Sequence, residues 1–125
     1  MDNFFETLNN EWNKRNGPII FTTSDESGLP NSIYAACVSK FNDSTIIIAD
    51  NFFNKTRKNI LLGNKGSILF ITNEEKSYQL KGIIKYHKEG KYFEDMKKWN
   101  PEKLPGIAAV VFEIEEAYSG AEKLL

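Results

Sequence analysis

The fold of this chain is decided by the stretch IIIADNFFNKTRKNIL (residues 46–61). Its first part is apolar and β-branched, which predicts a strand, and polar turn residues then precede a short helical pattern. We expect Asn54 to cap this helix. Lys55, Thr56 and Arg57 then fall in its first turn.

That first turn is a candidate anion site. Cations there oppose the helix dipole, which favours carboxylates at this position. Free backbone N–H groups, a hydroxyl and two cations would instead suit an anion, and a phosphate above all. We therefore predict that this turn binds the phosphate of a nucleotide-like cofactor. The alternative is that Lys55, Arg57 and Lys58 form a solvated basic face, and the local sequence does not decide between the two.

Length and composition predict one globular domain. The chain has 125 residues, of which 41% are hydrophobic and 26% charged. A chain of this length buries roughly two-thirds of its unfolded surface, enough for one core. The formal net charge of −1 supplies no global field for nucleic acid or an anionic membrane. We expect neither partner.

The N-terminus lacks the basic and apolar segments of a secretory signal. The apolar runs are shorter than the roughly 20 residues that a membrane span needs. We expect a soluble, cytoplasmic protein.

The pattern along the chain predicts six strands and three short helices. The predicted strands span residues 19–23, 30–41, 44–50, 66–72, 77–88 and 107–114. The predicted helices begin after Asp2, after Asn54 and near Tyr92. No regular strand–helix–strand repeat supports a parallel sheet, so we predict a mainly β fold, a small antiparallel barrel with peripheral helices.

Four of the predicted elements carry a clear pattern. The first helix has an apolar stripe of Phe4, Phe5, Leu8 and Trp12. The second and third strands are apolar on both faces, so both faces should be covered. The fifth strand alternates, and Gly82 interrupts its inner face, where a bulge would suit the closure of a barrel.

The usual catalytic constellations are missing from the sequence. His87 is the only histidine, and we expect it to face solvent rather than to ligate a haem or act in catalysis. Cys37 is the only cysteine, and we expect a small buried thiol in mid-strand rather than a nucleophile. No glycine-rich phosphate loop is present. An active protein would therefore need a cofactor to supply the chemistry.

Several motifs occur in an order that carries more information than each motif alone. They are Gly28-Leu29-Pro30, a long second strand, Ala49-Asp50 at the end of the third, Lys55-Thr56-Arg57-x-Asn59 and the terminus Ala121-Glu122-Lys123-Leu124-Leu125. With this order the chain resembles the flavin-binding split barrels related to pyridoxamine 5′-phosphate oxidase. It is more similar still to the small FMN-binding proteins, which share the Lys-Thr motif and the Ala-Glu-x-x-Leu terminus. The resemblance spans essentially the whole chain from Asn3.

The resemblance implies a fold, a cofactor and a partner. The fold would be a six-stranded antiparallel split β-barrel with Greek-key order and three short helices. The protein would be a homodimer with FMN at the subunit interface, the phosphate on Lys55 and Thr56, and Leu125 near the flavin of the partner subunit. The implied FMN-binding residues are Asn31, Ser32, Ile33, Tyr34, Ala35, Ala36, Ala49, Asp50, Lys55, Thr56, Asn59 and Leu125.

Two departures from the family pattern narrow the expected function. Ile33 stands where the true oxidases carry an Arg, which argues against oxidation of pyridoxamine phosphate. The small FMN-binding proteins have a Trp before the last strand, where this chain has Pro105-Gly106.

We expect an FMN-dependent oxidoreductase of unknown substrate, with NAD(P)H or a small redox protein as partner. The alternative is a non-catalytic electron carrier or flavin store. A nucleic-acid-binding barrel would need a basic stripe, and the charge balance counts against it.

Overall fold

The computed structural model describes residues 4–125, in which the chain forms three helices and eight strands. The helices are α1 (Phe4–Asn13), α2 (Lys55–Leu61) and α3 (Lys91–Trp99). The strands are β1 (Ile19–Ser24), β2 (Pro30–Ala35), β3 (Val38–Asn42), β4 (Thr45–Asp50), β5 (Gly66–Ile71), β6 (Ser77–His87), β7 (Ala108–Ser119) and β8 (Glu122–Lys123). Asp2, the predicted cap of the first helix, lies outside the described residues.

All the described strands belong to one antiparallel sheet. Its order is β2-β1-β5-β6-β7-β4-β3, with β8 paired to β7. The edge strands β2 and β3 are consecutive in the chain and are joined by only Ala36 and Cys37, so the sheet curls back on itself. No ladder among the described strands pairs these two edges, which makes the barrel a split one. The predicted mainly β, antiparallel split barrel is confirmed, although the number of strands is eight rather than six.

The predicted long second strand, residues 30–41, is wrong. The chain bends after Ala35, and the Val38 N–H donates to the Ala36 carbonyl at 3.1 Å. The two halves then pair at opposite edges of the sheet, β2 with β1 and β3 with β4. A straight strand cannot reach both edges, so the chain must turn a corner here. The eighth strand is a two-residue pairing, too short to leave a pattern in the sequence.

The inner face of the curled sheet holds the main core. Phe21, Leu80 and Phe112 are fully buried there, and α1 packs its apolar stripe against the same core. Leu8 and Trp12 of that stripe are buried, as its spacing predicts.

The predicted irregularity at Gly82 is confirmed. The β6–β7 register shifts between Lys81 and Gly82, so that Glu115 of β7 is the extra residue. A Cβ on Gly82 would lie 1.9 Å from the carbonyl oxygen of Glu113. Only glycine permits this close approach of the two strands.

The outer face of the sheet is covered in one part and open in another. Helix α3 buries Ile47 and Ala49 of β4 with its own Met96, so the prediction that the third strand is covered on both faces is confirmed. The outer face of β2 is open in the single chain, because Tyr34 is 76% exposed and nothing within residues 4–125 covers it. No helix within residues 4–125 is long and apolar enough to cross a membrane.

Candidate functional site

A cleft of about 420 Å³ opens where the β2–β3 corner meets the turn from β4 into α2. Eight of the predicted FMN-binding residues line it. They are Asn31, Ile33, Tyr34, Ala35, Ala36, Ala49, Lys55 and Thr56. The β3–β4 hairpin therefore brings together two segments, residues 31–37 and 49–56, which residues 38–48 separate in the sequence.

The other four predicted residues lie outside the lining of the cleft. Ser32 is exposed, and its hydroxyl meets that of Thr22 at 2.8 Å. Leu125 is bound through its backbone to Ala117 of β7. Asp50 and Asn59 are buried and hold other residues in place, as described below.

Leu125 is also far from the cleft of its own chain. The β7 residue Ala108 pairs with Asp50 beside the cleft, whereas Leu125 is bound at Ala117, nine residues further along β7. At about 3.3 Å per residue, that strand path is roughly 30 Å long.

Asp50 is a fully buried carboxylate that fastens the turn before α2. It accepts hydrogen bonds from Arg57 Nε at 2.7 Å, from Arg57 Nη2 at 3.0 Å, from the Tyr86 hydroxyl and from the Phe53 N–H at 3.0 Å. Burial by itself would raise the pKa of Asp50, but the hydrogen bonds from Arg57, Tyr86 and Phe53 outweigh it, and the pKa lies below its usual range. The burial of Tyr86 and its bond to Asp50 raise the pKa of Tyr86 to about 12.

The prediction that the Asn54 side chain caps α2 is wrong. Asn54 occupies the N-cap position of α2, but its side chain makes no capping hydrogen bond. The Asp50 carboxylate takes over the task of ordering this turn when it accepts the Phe53 N–H.

The three cations of the predicted basic face have three different surroundings. Arg57 is bound to Asp50 and belongs to neither a solvated face nor the cleft lining. Lys58 is exposed outside the cleft. Lys55 is exposed at the cleft, and no acidic side chain within residues 4–125 pairs with it.

Thr56 stands beside Lys55 with its hydroxyl oriented by β2. Asn31 Nδ2 donates to Thr56 Oγ1 at 3.0 Å. Because the oxygen accepts this bond, the hydroxyl proton stays available for an acceptor in the cleft. Asn59 steadies the same helix from its other side, since its amide donates to Thr23 Oγ1 of β1 at 3.0 Å.

The rest of the cleft wall is largely apolar. Ile33, Ala35 and Ala49 contribute small or aliphatic surfaces, and Phe52 stands 75% exposed at the rim. Phe53 instead turns inward, with its ring 6.4 Å from that of Phe21. The lining of the cleft thus combines a cation and a hydroxyl with aliphatic side chains.

Sequence reasoning missed three residues of this region. Asn51 and Leu104 line the cleft, and Asn100 is paired with Asn51 by two side-chain hydrogen bonds of 3.1 and 2.9 Å. Asn51 does follow directly on the predicted third strand, but no local signal connects it with a residue 49 positions away. Only the fold reveals that pair.

Cys37 and His87 differ in part from their predicted surroundings. Cys37 lies at the β2–β3 corner rather than in mid-strand, and it is a half-buried thiol in the cleft lining. His87 is half-buried, with its ring 5.2 Å from that of Tyr92, rather than fully turned to solvent. Within residues 4–125, no cluster of His, Cys, Asp and Glu side chains is arranged to hold a metal ion.

Comparison with known sequences yields one family and one curated relative. The family model described as pyridoxamine 5′-phosphate oxidase matches residues 7–119. An uncharacterized protein of Methanocaldococcus jannaschii is 35% identical over 106 residues, which cover 81% of this chain and 71% of the relative.

Comparison with solved structures gives the same fold in proteins with different ligands in their names. HupZ of Group A Streptococcus superposes with a TM-score of 0.80 at 24% identity and 96% coverage of both chains. An FMN-binding protein of Syntrophomonas wolfei gives 0.78 at 22% identity, covering 93% of this chain and 85% of that one. HutZ, the heme storage protein of Vibrio cholerae, gives 0.69 at 14% identity and 95% coverage of both.

Proposed function

The chain belongs to the pyridoxamine 5′-phosphate oxidase family, and from this premise we propose that its cleft binds FMN. The observation that supports the proposal is that Lys55 and Thr56 lie side by side in the lining of a largely apolar cleft. A volume of about 420 Å³ lies within the range of roughly 300–1,000 Å³ that is usual for small-molecule sites.

The donor set fits the phosphate of such a ligand. Lys55 supplies a positive charge without an acidic partner among the described residues, and Thr56 supplies a hydroxyl proton that the Asn31 contact leaves available. Hydrogen bonds to ionised groups are stronger than those between neutral groups. These side chains would therefore hold an anionic group more firmly than a neutral one.

The apolar wall fits the ring system. Ile33, Ala35 and Ala49 offer a surface without charged groups, against which a flat aromatic ring can be buried. Ala36 belongs to the tight corner between β2 and β3, where the backbone bends beside the cleft.

When bound, FMN would supply hydride or electron transfer, and the chain would supply binding, orientation and exclusion of water. No carboxylate or histidine lines the cleft in the described part of the chain, and Tyr34, Cys37 and Lys55 are its ionisable groups. We therefore propose an oxidoreductase whose redox chemistry resides in the flavin, with NAD(P)H or a small redox protein as partner. The same lack of acid–base groups favours the second candidate, an electron carrier or flavin store without turnover.

We also propose that the protein acts as a homodimer. Ile20 of β1 pairs with Tyr34 on one side and Leu69 on the other, so the three side chains form one row on the outer face. Tyr34 and Leu69 are exposed, and Tyr34 also lines the cleft. An exposed apolar row that adjoins a ligand cleft suits a second copy of the chain, whose Leu125 would then approach the flavin. A cytoplasmic location remains a prediction.

The first test is identification of the ligand in purified protein. We expect a yellow protein with a flavin absorption spectrum that releases one FMN per chain on denaturation. A colourless protein that fails to bind FMN at micromolar concentration would contradict the proposal. Haemin titrated in parallel tests the ligand named for HutZ, and tighter binding of haemin than of FMN would also count against it.

Turnover is tested on the FMN-loaded protein. Bleaching of the flavin by NADH or NADPH, followed by reoxidation with an acceptor, supports the oxidoreductase. Absence of bleaching by either nucleotide supports the carrier or store. Both readings require that FMN binds, so this test is made only after the first.

A further inference from the structure

The loop between α3 and β7 is fixed at both ends by one side chain. The Oδ1 atom of Asn51 accepts a hydrogen bond from Asn100 Nδ2 at 2.9 Å and one from the Gly106 N–H at 2.8 Å. Asn51 Nδ2 donates in return to Asn100 Oδ1 at 3.1 Å. We refer to Asn51, Asn100 and Gly106 as the amide clasp. It closes the loop of residues 101–105 against the end of β4.

The clasp holds the loop of residues 101–105 in one position. Asn51 and Asn100 are 8% and 6% exposed, and a buried amide that loses its partner destabilises the fold. Gly106 has a φ of +52° and packs so closely that a Cβ there would lie 3.0 Å from Asn100 Nδ2. Immediately beyond the clasp, the Ile107 N–H donates to the Asp50 carbonyl at 2.8 Å. The loop is therefore tied to the strand that leads into the cleft.

Within this closed loop, Leu104 reaches the cleft. It is half-buried and lines the same cavity as Ala49 and Lys55. A further bond from Lys97 Nζ to the Pro105 carbonyl at 3.0 Å holds the residue next to it. An aliphatic side chain offers nothing to a phosphate, so its partner must be an apolar part of the ligand.

We propose that Asn51 and Asn100 are positioning residues that hold Leu104 as an apolar contact for the flavin ring. The inference rests on the proposed binding of FMN and assigns the ring end of the site, as Lys55 and Thr56 would hold the phosphate end. It predicts that the two ends respond differently to riboflavin, which has the ring system but lacks the phosphate.

The direct test is Leu104→Ala with FMN and riboflavin, both titrated by quenching of flavin fluorescence. We expect Kd to rise about fivefold for both ligands, because part of the apolar burial of a Leu is lost. Leu62→Ala is the matched control, since Leu62 is half exposed after the last turn of α2 and outside the cleft lining. Its Kd values should equal those of the wild type.

The results separate the inference from the proposed function. If the wild type binds neither flavin, the proposed function fails. If the wild type binds both and Leu104→Ala binds as tightly, or loses only FMN, the assignment of Leu104 is overturned while flavin binding stands.

The role of the clasp is tested by a double-mutant cycle. Asn100→Ala should weaken both flavins by a similar factor, and it should add little to the Leu104→Ala variant, because it acts through Leu104. Multiplied losses in the double variant would overturn the positioning role. If Asn100→Ala does not fold, hydrogen exchange of the wild type decides: the Gly106 amide should be protected, and exchange at the rate of an open loop would overturn the clasp.

Discussion

Asp50 and Arg57 form a two-point ion pair, with Nε 2.7 Å from Oδ2 and Nη2 3.0 Å from Oδ1. The pair binds the end of β4 to the first turns of α2, and it withdraws Arg57 from the cleft. The two cations in the first turn of α2 therefore have different roles. Asp50 and Arg57 hold the turn, and Lys55 is the cation that faces the cleft.

Lys55→Ala should weaken FMN much more than riboflavin, because only FMN carries the anion. Loss of one hydrogen bond to a charged group corresponds to about 10- to 100-fold in Kd. Fluorescence titration with both ligands measures the effect. Lys58→Ala is the control, since Lys58 is exposed on the same helix but outside the cleft lining. Equal losses for both ligands in Lys55→Ala would show a structural role instead.

Asp50→Asn should destabilise the fold substantially. The substitution removes the charge that compensates Arg57 and disturbs the contacts with Tyr86 and Phe53. Breaking one partner of a buried ion pair costs about 3 kcal/mol or more in the free energy of unfolding. Urea denaturation measures it. Glu115→Gln breaks the exposed pair with Lys65 and should leave the urea midpoint nearly unchanged. Similar midpoints for the two variants would contradict the importance of the Asp50 pair.

The loss of folding stability at low pH should depend in part on Asp50. A carboxyl whose pKa is lower in the folded than in the unfolded chain stabilises the fold above the unfolded value, and this contribution is lost as pH falls through the folded value. The pKa of Asp50 is lowered, so the difference in stability between the wild type and Asp50→Asn should shrink as pH falls below the usual pKa of an aspartic acid, 3.8. Urea unfolding at several pH values follows it. A difference independent of pH would mean that the charge of Asp50 is not its source.

Gly82→Ala should destabilise the barrel by at least about 2 kcal/mol, because overpacking forces the backbone to shift. The added Cβ would lie 1.9 Å from the Glu113 carbonyl oxygen, an atom that no side-chain rotation can move away. Thermal unfolding provides the measurement. Lys85→Ala on the same strand is exposed and should change the melting temperature little. An unaltered melting temperature for Gly82→Ala would show that β6 and β7 separate more easily than the bulge geometry implies.

Leu69→Lys should weaken the proposed dimer. The substitution places a charge in the outer row that Leu69 forms with Ile20 and Tyr34, while the inner core is left intact. Analytical ultracentrifugation should give a dimer for the wild type and a shift towards monomer for the variant. Lys85→Ala serves again as the control and should sediment as the wild type does. A wild type that stays monomeric at all concentrations would remove the basis for this interface.

The local sequence pattern predicts a helix or strand correctly where only one face of that element packs against the core. The α1 stripe of Leu8 and Trp12 and the inner alternation of β6 both follow from burial on a single face, so period alone reveals them. The corner at Ala36 and Cys37 could not be predicted from the sequence. Both its flanks are apolar, and only the pairing of β2 and β3 with different edges breaks the run.

The sequence predicted the chemical types of the residues in the candidate site better than it predicted their contacts. Lys55 and Thr56 could be singled out because a cation and a hydroxyl at a helix start are a local combination. Asn59 was assigned to the ligand, yet its amide turns to Thr23 of β1. The sequence cannot distinguish these uses, because both need the same polar residue on the same short helix.

The sequence by itself determined the alternation of strands and turns, the main apolar core, the cation and hydroxyl at the start of α2 and the likeness to the pyridoxamine 5′-phosphate oxidase family. These follow from residue types and near-neighbour spacing. The tertiary structure decided which cation lies at the cleft, which polar side chains are fixed to one another and which loop contributes to the lining of the cleft. The buried charge of Asp50 determines the partner of Arg57. The hydrogen bond between Asn51 and Asn100, which are 49 positions apart, determines where the loop of Leu104 lies. Contacts of this kind depend on how the sheet curls, and local sequence carries no record of them.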